Sequence, residues 1–546
     1  MKQKISLLLG FIFIIGVTVY FSKSVSVNEE RLMETVIIDL DEEQQLVIEA
    51  EHLELRKASD LTEEQIGSVD RIHIFDIWDG SEKAGEVTIT VRTIDNGDLF
   101  VFSKLVNDRE DVVVIDQTLT YPNVNRYVLT DFDQRFKERE HNPTLGVDPT
   151  TYPIGLVELY SFEDLAHNLF LSKNYLSQEM VLDYENSGIS VLRELVDEVK
   201  SFSIGVGVDD ITVSLPLHSF GEDISENWMM LSGEVLFEDR EVLDRWIDYN
   251  IESYSQVNKW FTAGGPYKKL PWSIEPFTKM GYGRNLGSMQ DKKALDKLED
   301  YGERFFYNLT MNSVANLLGY REEGQVVWET EYTSTWLKQT FESIAPFVDT
   351  RHNENIAIFL TRTGHLLDIE ELKDAHVDYA DYLLEQVEKE NIFYVDKGFY
   401  IADYYSPHPG TKMTHASLNH IVGGINFLLD SYISTGEEKY LDVAKQVRLA
   451  IEETGEEWIR DTGDLWYQIN PDLTFAGNDY EQLTLIDLLT SQVNWEEAGE
   501  ERSELFDVLI SSKTEYLVTN EKQIFDYVLD MLVEQGFREL VKGRLS

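Results

Sequence analysis

The chain has 546 residues, 42% of them hydrophobic and 12% aromatic, and it contains no cysteine. That length exceeds one ordinary domain, and the composition excludes general disorder, disulfides and lipid attachment through cysteine. Against 47 basic residues stand 100 acidic ones, a formal net charge of −53, which repels nucleic acid and disfavours it as a partner.

Taken in order, the chain opens on an address. Lys2 and Lys4 precede an apolar-to-neutral run over residues 5–21, at the short limit for a membrane span. Residues 1–24 are therefore expected to be a signal peptide or an uncleaved anchor. The protein would then be exported and either held at the cell membrane by this segment or secreted. Residues 25–34 form a polar spacer.

Residues 35–130 predict a β-rich domain. Residues 71–78 and 86–92 alternate apolar and polar side chains, and Asn96-Gly97 supplies a tight turn before the return at 99–105. Residues 61–69 read as one helix within it. Residues 131–235 predict a mixed region with a second β unit. There, 158–171 and 188–199 carry helical patterns and 201–217 returns to strand.

From residue 236 to the end the period is helical, with helices expected near 243–260, 291–318, 333–347, 353–367, 370–390, 414–434, 438–453, 481–489, 503–518 and 522–541. The helix at 414–434 is apolar on most sides. Gly436 stands where a left-handed cap belongs, and an amphipathic helix follows at 438–453. An inner helix, a tight turn and an outer helix make one αα-hairpin. Successive hairpins without a strict sequence repeat predict an incomplete α/α barrel, or toroid. The fold class is thus α+β multidomain: a β-rich N-terminal region followed by a C-terminal α/α toroid.

In a toroid, ligands bind where loops enter the inner helices. The loop before residue 414 carries Tyr404, Tyr405, His408 and Lys412, and the helix it enters begins with His415, Asn419 and His420. The entry at 349–355 carries Arg351 and His352, and a hairpin expected around Asn470–Leu473 carries Trp466 and Tyr467. Arg284 is a further candidate. The spacing of His408, His415 and His420 does not place two ligands on one helix face, so no metal is expected, and no cofactor motif is present. Each feature also has a purely structural reading: a tied-down loop, a salt-bridged Arg351, or an N-cap at Asp349 or Asp479.

Tyr and His with Arg and Asn suit proton abstraction beside a carboxylate, which both uronate epimerisation and β-elimination require. Glycoside hydrolysis would instead use two carboxylates, available among Glu329, Glu331, Asp349, Asp464 and Asp479.

Several stretches resemble D-glucuronyl C5-epimerases: 414–420, 423–432, 435–441, Trp458-Ile459 and 463–467, and more loosely Tyr282 and Arg284. The likeness covers about residues 390–490. It implies an α/α-toroid domain behind a β domain, acting on glucuronate units of a polysaccharide or cell-wall glycan. In that family catalytic roles fall to tyrosines and a glutamate in the cleft; by placement at the helix mouths, Tyr404, Tyr405, His415 and Tyr467 would be catalytic here. Arg284, Arg351, His352, His408, Lys412, Asn419, His420 and Trp466 would hold substrate. A polysaccharide lyase or glycoside hydrolase of the same fold, and a non-catalytic glycan-binding or assembly protein of the cell envelope, remain as alternatives.

Overall fold

Alternating apolar residues dictate the first half of the molecule. In Glu82–Ile94 the side chains of Val87, Ile89 and Val91 fall on one face and are fully buried, the period-two pattern of a strand. The computed structural model describes residues 33–41, 44–135, 152–185, 187–253, 256–321 and 324–545. The expected signal or anchor at 1–24 lies outside the described residues. No described helix is long and apolar enough to cross a membrane.

Two antiparallel sheets stack on each other. The smaller runs in the order Met33–Asp39, Gln45–Glu51, Val113–Pro122, Asp210–Ser214 and Ser203–Val206, with Leu217–Ser219 alongside. The larger has 13 strands, from Glu54–Gln65 at one edge to Trp260–Thr262 at the other. Ile48, Ile115 and Leu119 of the small sheet pack with Val87, Val101 and Leu105 of the large one. Each such side chain contributes about 1.5–3 kcal/mol on burial. The opposite face of the large sheet carries Phe100, Phe102, Phe170 and Trp228, covered by helices α1 (Arg240–Glu252) and α3 (Arg304–Tyr320). A further helix, α2 (Lys292–Tyr301), leads into α3.

Three expectations fail here. The residues expected as a helix at 61–69 are a hairpin of Glu54–Gln65 and Ser68–Asp79 turning at Gly67. The stretches at 158–171 and 188–199 are strands as well. The boundary at residue 130 does not separate two β units: Asp210–Ser214 pairs with Val113–Pro122, and Ile224–Ser232 pairs with Leu99–Asn107. Strands before and after it share both sheets. The large sheet also continues past residue 236 through Gly265–Lys269 and Gly281–Gly283.

The helical half follows as an inner row and an outer row. Inner helices α4 (Thr350–Leu367), α6 (Leu418–Thr435) and α8 (Leu483–Glu497) lie side by side. Outer helices α5 (Ala375–Glu388), α7 (Glu438–Thr454) and α9 (Glu504–Thr519) cover them. The burial of Leu418, Val422, Ile425, Leu428 and Leu429 makes α6 apolar nearly all round, as an inner helix must be. Gly436 ends α6 in the left-handed region, φ 72°, and its N–H donates to the Tyr432 carbonyl at 2.7 Å. This is the α/α-toroid arrangement, β-rich sheets first and paired helices after.

Arg92 joins the halves. Its guanidinium, 2% exposed, holds Asp70 at 2.7 Å on the sheet and donates to Asn312 Oδ1 and Asn316 Oδ1 of α3 at 2.6 and 2.7 Å.

Candidate functional site

The entries to α4 and α6 are stitched together by backbone. Phe347–Asp349 pairs with Tyr404–Tyr405, with Asp349 opposite Tyr404. The Thr350 N–H donates to the Asp403 carbonyl, and the Asp403 N–H to the His415 carbonyl, both at 3.0 Å. The hairpin Trp466–Ile469 and Phe475–Asn478 joins the other side, where Ala416–Ser417 pairs with Gln468–Ile469. The loops that enter α4 and α6 therefore lie against each other.

Asp403 is the hub. It is 1% exposed and takes hydrogen bonds from the Ser417 N–H at 2.9 Å and from the Ser417 hydroxyl. His415 Nε2 lies 3.2 Å away and His420 Nδ1 3.7 Å. Burial alone would raise its carboxyl, but His420, His415 and Ser417 hold it below the ordinary value. His420 is pushed down by burial despite Asp403, so it is neutral near pH 7. Its Nδ1 meets the Thr350 hydroxyl at 2.8 Å. Aromatic rings close over the hub. Tyr404 sits 5.9 Å from the His415 ring and 6.1 Å from that of His420, and Tyr467 lies 6.0 Å from His415 and 5.7 Å from Tyr480. Burial first, then nearby Asp349, holds the Tyr404 phenol well above its usual value, and burial raises that of Tyr467. Both phenols keep their protons and can donate them.

Other expected residues lie elsewhere. His415 is fully buried, walled by Trp336 and Phe341 as well as Tyr404, so it positions neighbours rather than touching a ligand. Neither of its ring nitrogens has an aligned hydrogen-bond partner among the described residues. Tyr405 is turned the other way along its strand, with Lys389 over its ring. Arg351 is not an open clamp: it pairs with Glu354 at 2.6 Å and Asp487 at 2.8 Å, against α6 where a Cβ on Gly423 would collide with its guanidinium. Burial first raises Glu354 to about 8 and Asp487 to about 6, because two acids share one cation out of water. Asn419 is 2% exposed inside α6, its Oδ1 without a partner among the described residues.

Lys412 pairs with Glu342 at 2.6 Å on the outside of the loop, and His408 sits on the same outer turn. Trp466 faces away from Tyr467, under Arg460. Arg284 is bidentate on Glu331 and lies over Tyr320. His352 stands at the N-terminus of α4, its side chain 31% exposed, where Asp349 caps the helix by accepting from the His352 N–H at 3.0 Å. Asp479, expected as an N-cap, instead pairs with Lys513, which also holds Asp464.

The geometry thus gathers Tyr404, Tyr467 and His420, and adds Asp403, Thr350 and Tyr480; His352 is linked to this group through Asp349. Spacing carries no sign of Asp403, because its partners come from the following strand and helix. No group of three metal-ligating side chains gathers among the described residues.

No family model and no curated protein matches the chain. Among solved structures it is similar, at 11% identity in each case, to an α-amylase from Clostridium perfringens, the cellobiose 2-epimerase of Bacillus thermoamylovorans, and a family 76 glycoside hydrolase from Bacteroides thetaiotaomicron. The TM-scores are 0.33, 0.38 and 0.35. The matches cover 55%, 52% and 76% of this chain and 84%, 71% and 74% of theirs. Likenesses this distant carry no argument about reaction or substrate.

Proposed function

We propose that the protein is a carbohydrate-active enzyme that moves protons at a sugar carbon beside a carboxylate, with C5-epimerisation of glucuronate in a polysaccharide as its reaction. The observation behind this is the Tyr404 ring 6.1 Å from His420, whose Nδ1 side is held by Thr350 and Asp403, with Tyr467 across His415. His420 would take the C5 proton, leaving the electron pair on the carboxylate as an enediolate. A Tyr467 or Tyr404 phenol would return a proton to the other face of C5. With Arg351 already paired and Asp349 capping α4, the His352 side chain remains to meet the carboxylate.

Carboxylates near the mouth are committed elsewhere, which weighs against hydrolysis. Asp349 caps α4, Asp403 serves the histidines, and Asp464 and Asp479 hold Lys513. A hydrolase is the second reading, because Glu329 and Glu331 both line a cleft of about 210 Å³, with Glu331 paired there to Arg284.

The test is to incubate the full-length chain with glucuronate-containing polymers in D₂O and follow them by NMR. Deuterium at C5 of an intact polymer is the expected result. A new unsaturated end identifies a lyase, a new reducing end without unsaturation a hydrolase, and binding without chemical change a glycan-binding protein.

A further inference from the structure

Between the large sheet and helices α1 to α3 lies a cavity of about 280 Å³ that the helix mouth does not use. The single turn Leu286–Met289 separates the two places. Its Ser288 lines the cavity, while a Cβ on Gly287 would come 3.4 Å from His352 Nε2. Trp228, Phe261 and Trp246 wall the cavity with aromatic faces, with Trp228 and Phe261 at right angles, 5.1 Å apart.

Two of its polar groups are unspent among the described residues, the Lys268 ammonium and Asn258 Oδ1. Lys268 lines the cavity, and no hydrogen bond or ion pair reaches its ammonium among the described residues, although burial disfavours its charge. Its neighbours differ. Lys259 is paired with Glu198, and Lys269 donates to the Lys279 carbonyl. Asn258 donates from Nδ2 to the Ser288 carbonyl at 3.4 Å, and its Oδ1 is buried without a partner among the described residues. In a protein carrying 100 acidic residues, a half-buried cation left without a carboxylate is a place prepared for one. Lys259, Lys292, Lys293, Asp291 and Asp296 also line the cavity, but Lys259 is paired with Glu198, Asp291 caps α2 and Asp296 pairs with Arg362. Aromatic rings beside the open Lys268 ammonium and Asn258 Oδ1 match a ring with apolar faces, a carboxylate and hydroxyls.

We propose that this cavity is a second saccharide site, taking an acidic sugar residue with its carboxylate on Lys268, its ring against Trp228 and Phe261, and a hydroxyl donating to Asn258 Oδ1. The proposal does not depend on the reaction assigned to the helix mouth.

Titration of the full-length chain with D-glucuronate and with D-glucose, by calorimetry and saturation-transfer NMR, tests it. Glucuronate is expected to bind about tenfold more tightly than glucose. Lys268→Gln and, separately, Asn258→Leu should weaken glucuronate by about tenfold with the melting temperature unchanged, while Tyr467→Phe leaves it intact. Equal binding of the two sugars, no binding at millimolar concentration, or indifference to Lys268→Gln overturns the proposal. So does loss of binding in Tyr467→Phe, which would place glucuronate at the helix mouth. Intact binding to the cavity beside an absence of C5 exchange would defeat the proposed reaction alone.

Discussion

Two charged clusters stand on the same inner helices, and they are built on opposite plans. Around Arg351, charge is answered inside the protein: Glu354 and Asp487 take the guanidinium, and Gly423 makes room for it. Around Asp403, about one turn toward the loops, the hub carboxylate is satisfied but its surroundings are not. His415 lacks aligned hydrogen-bond partners among the described residues, and Tyr467 and Tyr480 reach toward solvent. A closed ion network is scaffold, since it has nothing left to offer a ligand. An incompletely satisfied one at a helix mouth is where chemistry has room.

The largest effect that would sharpen this contrast comes from the closed cluster. Arg351→Ala leaves two buried acids without their cation and should cost about 3–5 kcal/mol of stability, read by chemical denaturation. A loss under about 1 kcal/mol would mean the cluster is not scaffold. At the open cluster the reverse holds. Tyr467→Phe should lower turnover by about 10²–10⁴-fold while the unfolding midpoint stays in place, and equal loss of stability would erase the distinction between the two. Gly423→Ala pushes a methyl into the Arg351 guanidinium and should cost about 1–3 kcal/mol, again in stability.

A smaller effect is pH-dependent. The native values of Glu354 and Asp487 are raised above the unfolded ones, so the native state binds more protons. Their contribution is fully present below the unfolded carboxylate range and is lost as pH rises through about 6 and then about 8. Melting temperature should fall across that window, and Glu354→Gln should flatten the fall. A profile unchanged by the substitution would remove Glu354 from the account. Smallest of all, Lys412→Ala breaks an exposed pair with Glu342 and should change stability by no more than about 0.5 kcal/mol, with activity unaffected.

What could be read from the chain tracks how local each cause is. The αα-hairpin at 418–454 was legible because an apolar helix, a glycine cap and an amphipathic stripe are contiguous. The turn at Asn96-Gly97 and the hairpin at Trp466 were legible for the same reason. Residues 188–199 misled because Leu and Glu favour helix locally, whereas pairing with Asn174–Asp183 over its whole length decides for strand. Residues 61–69 misled in another way. Thr62, Glu63 and Glu64 imitate a helix start, but they are the charged, exposed side of an edge strand. The nearness of Tyr404 to His420 and of Tyr467 to His415 was legible from their places at a loop or helix mouth. Asp403 and the Glu354–Asp487 embrace of Arg351 were not, because both depend on contacts between separate elements.

The backbone stitching of Asp349 to Tyr404, with Asp403 tied both forward and back, has a consequence for adaptation. The two loops behave as a single welded plate. Backbone groups carry the weld except at Asp403, whose side chain holds the Ser417 N–H, so exposed side chains on the plate can be exchanged one at a time without disturbing the carrier while Asp403 cannot.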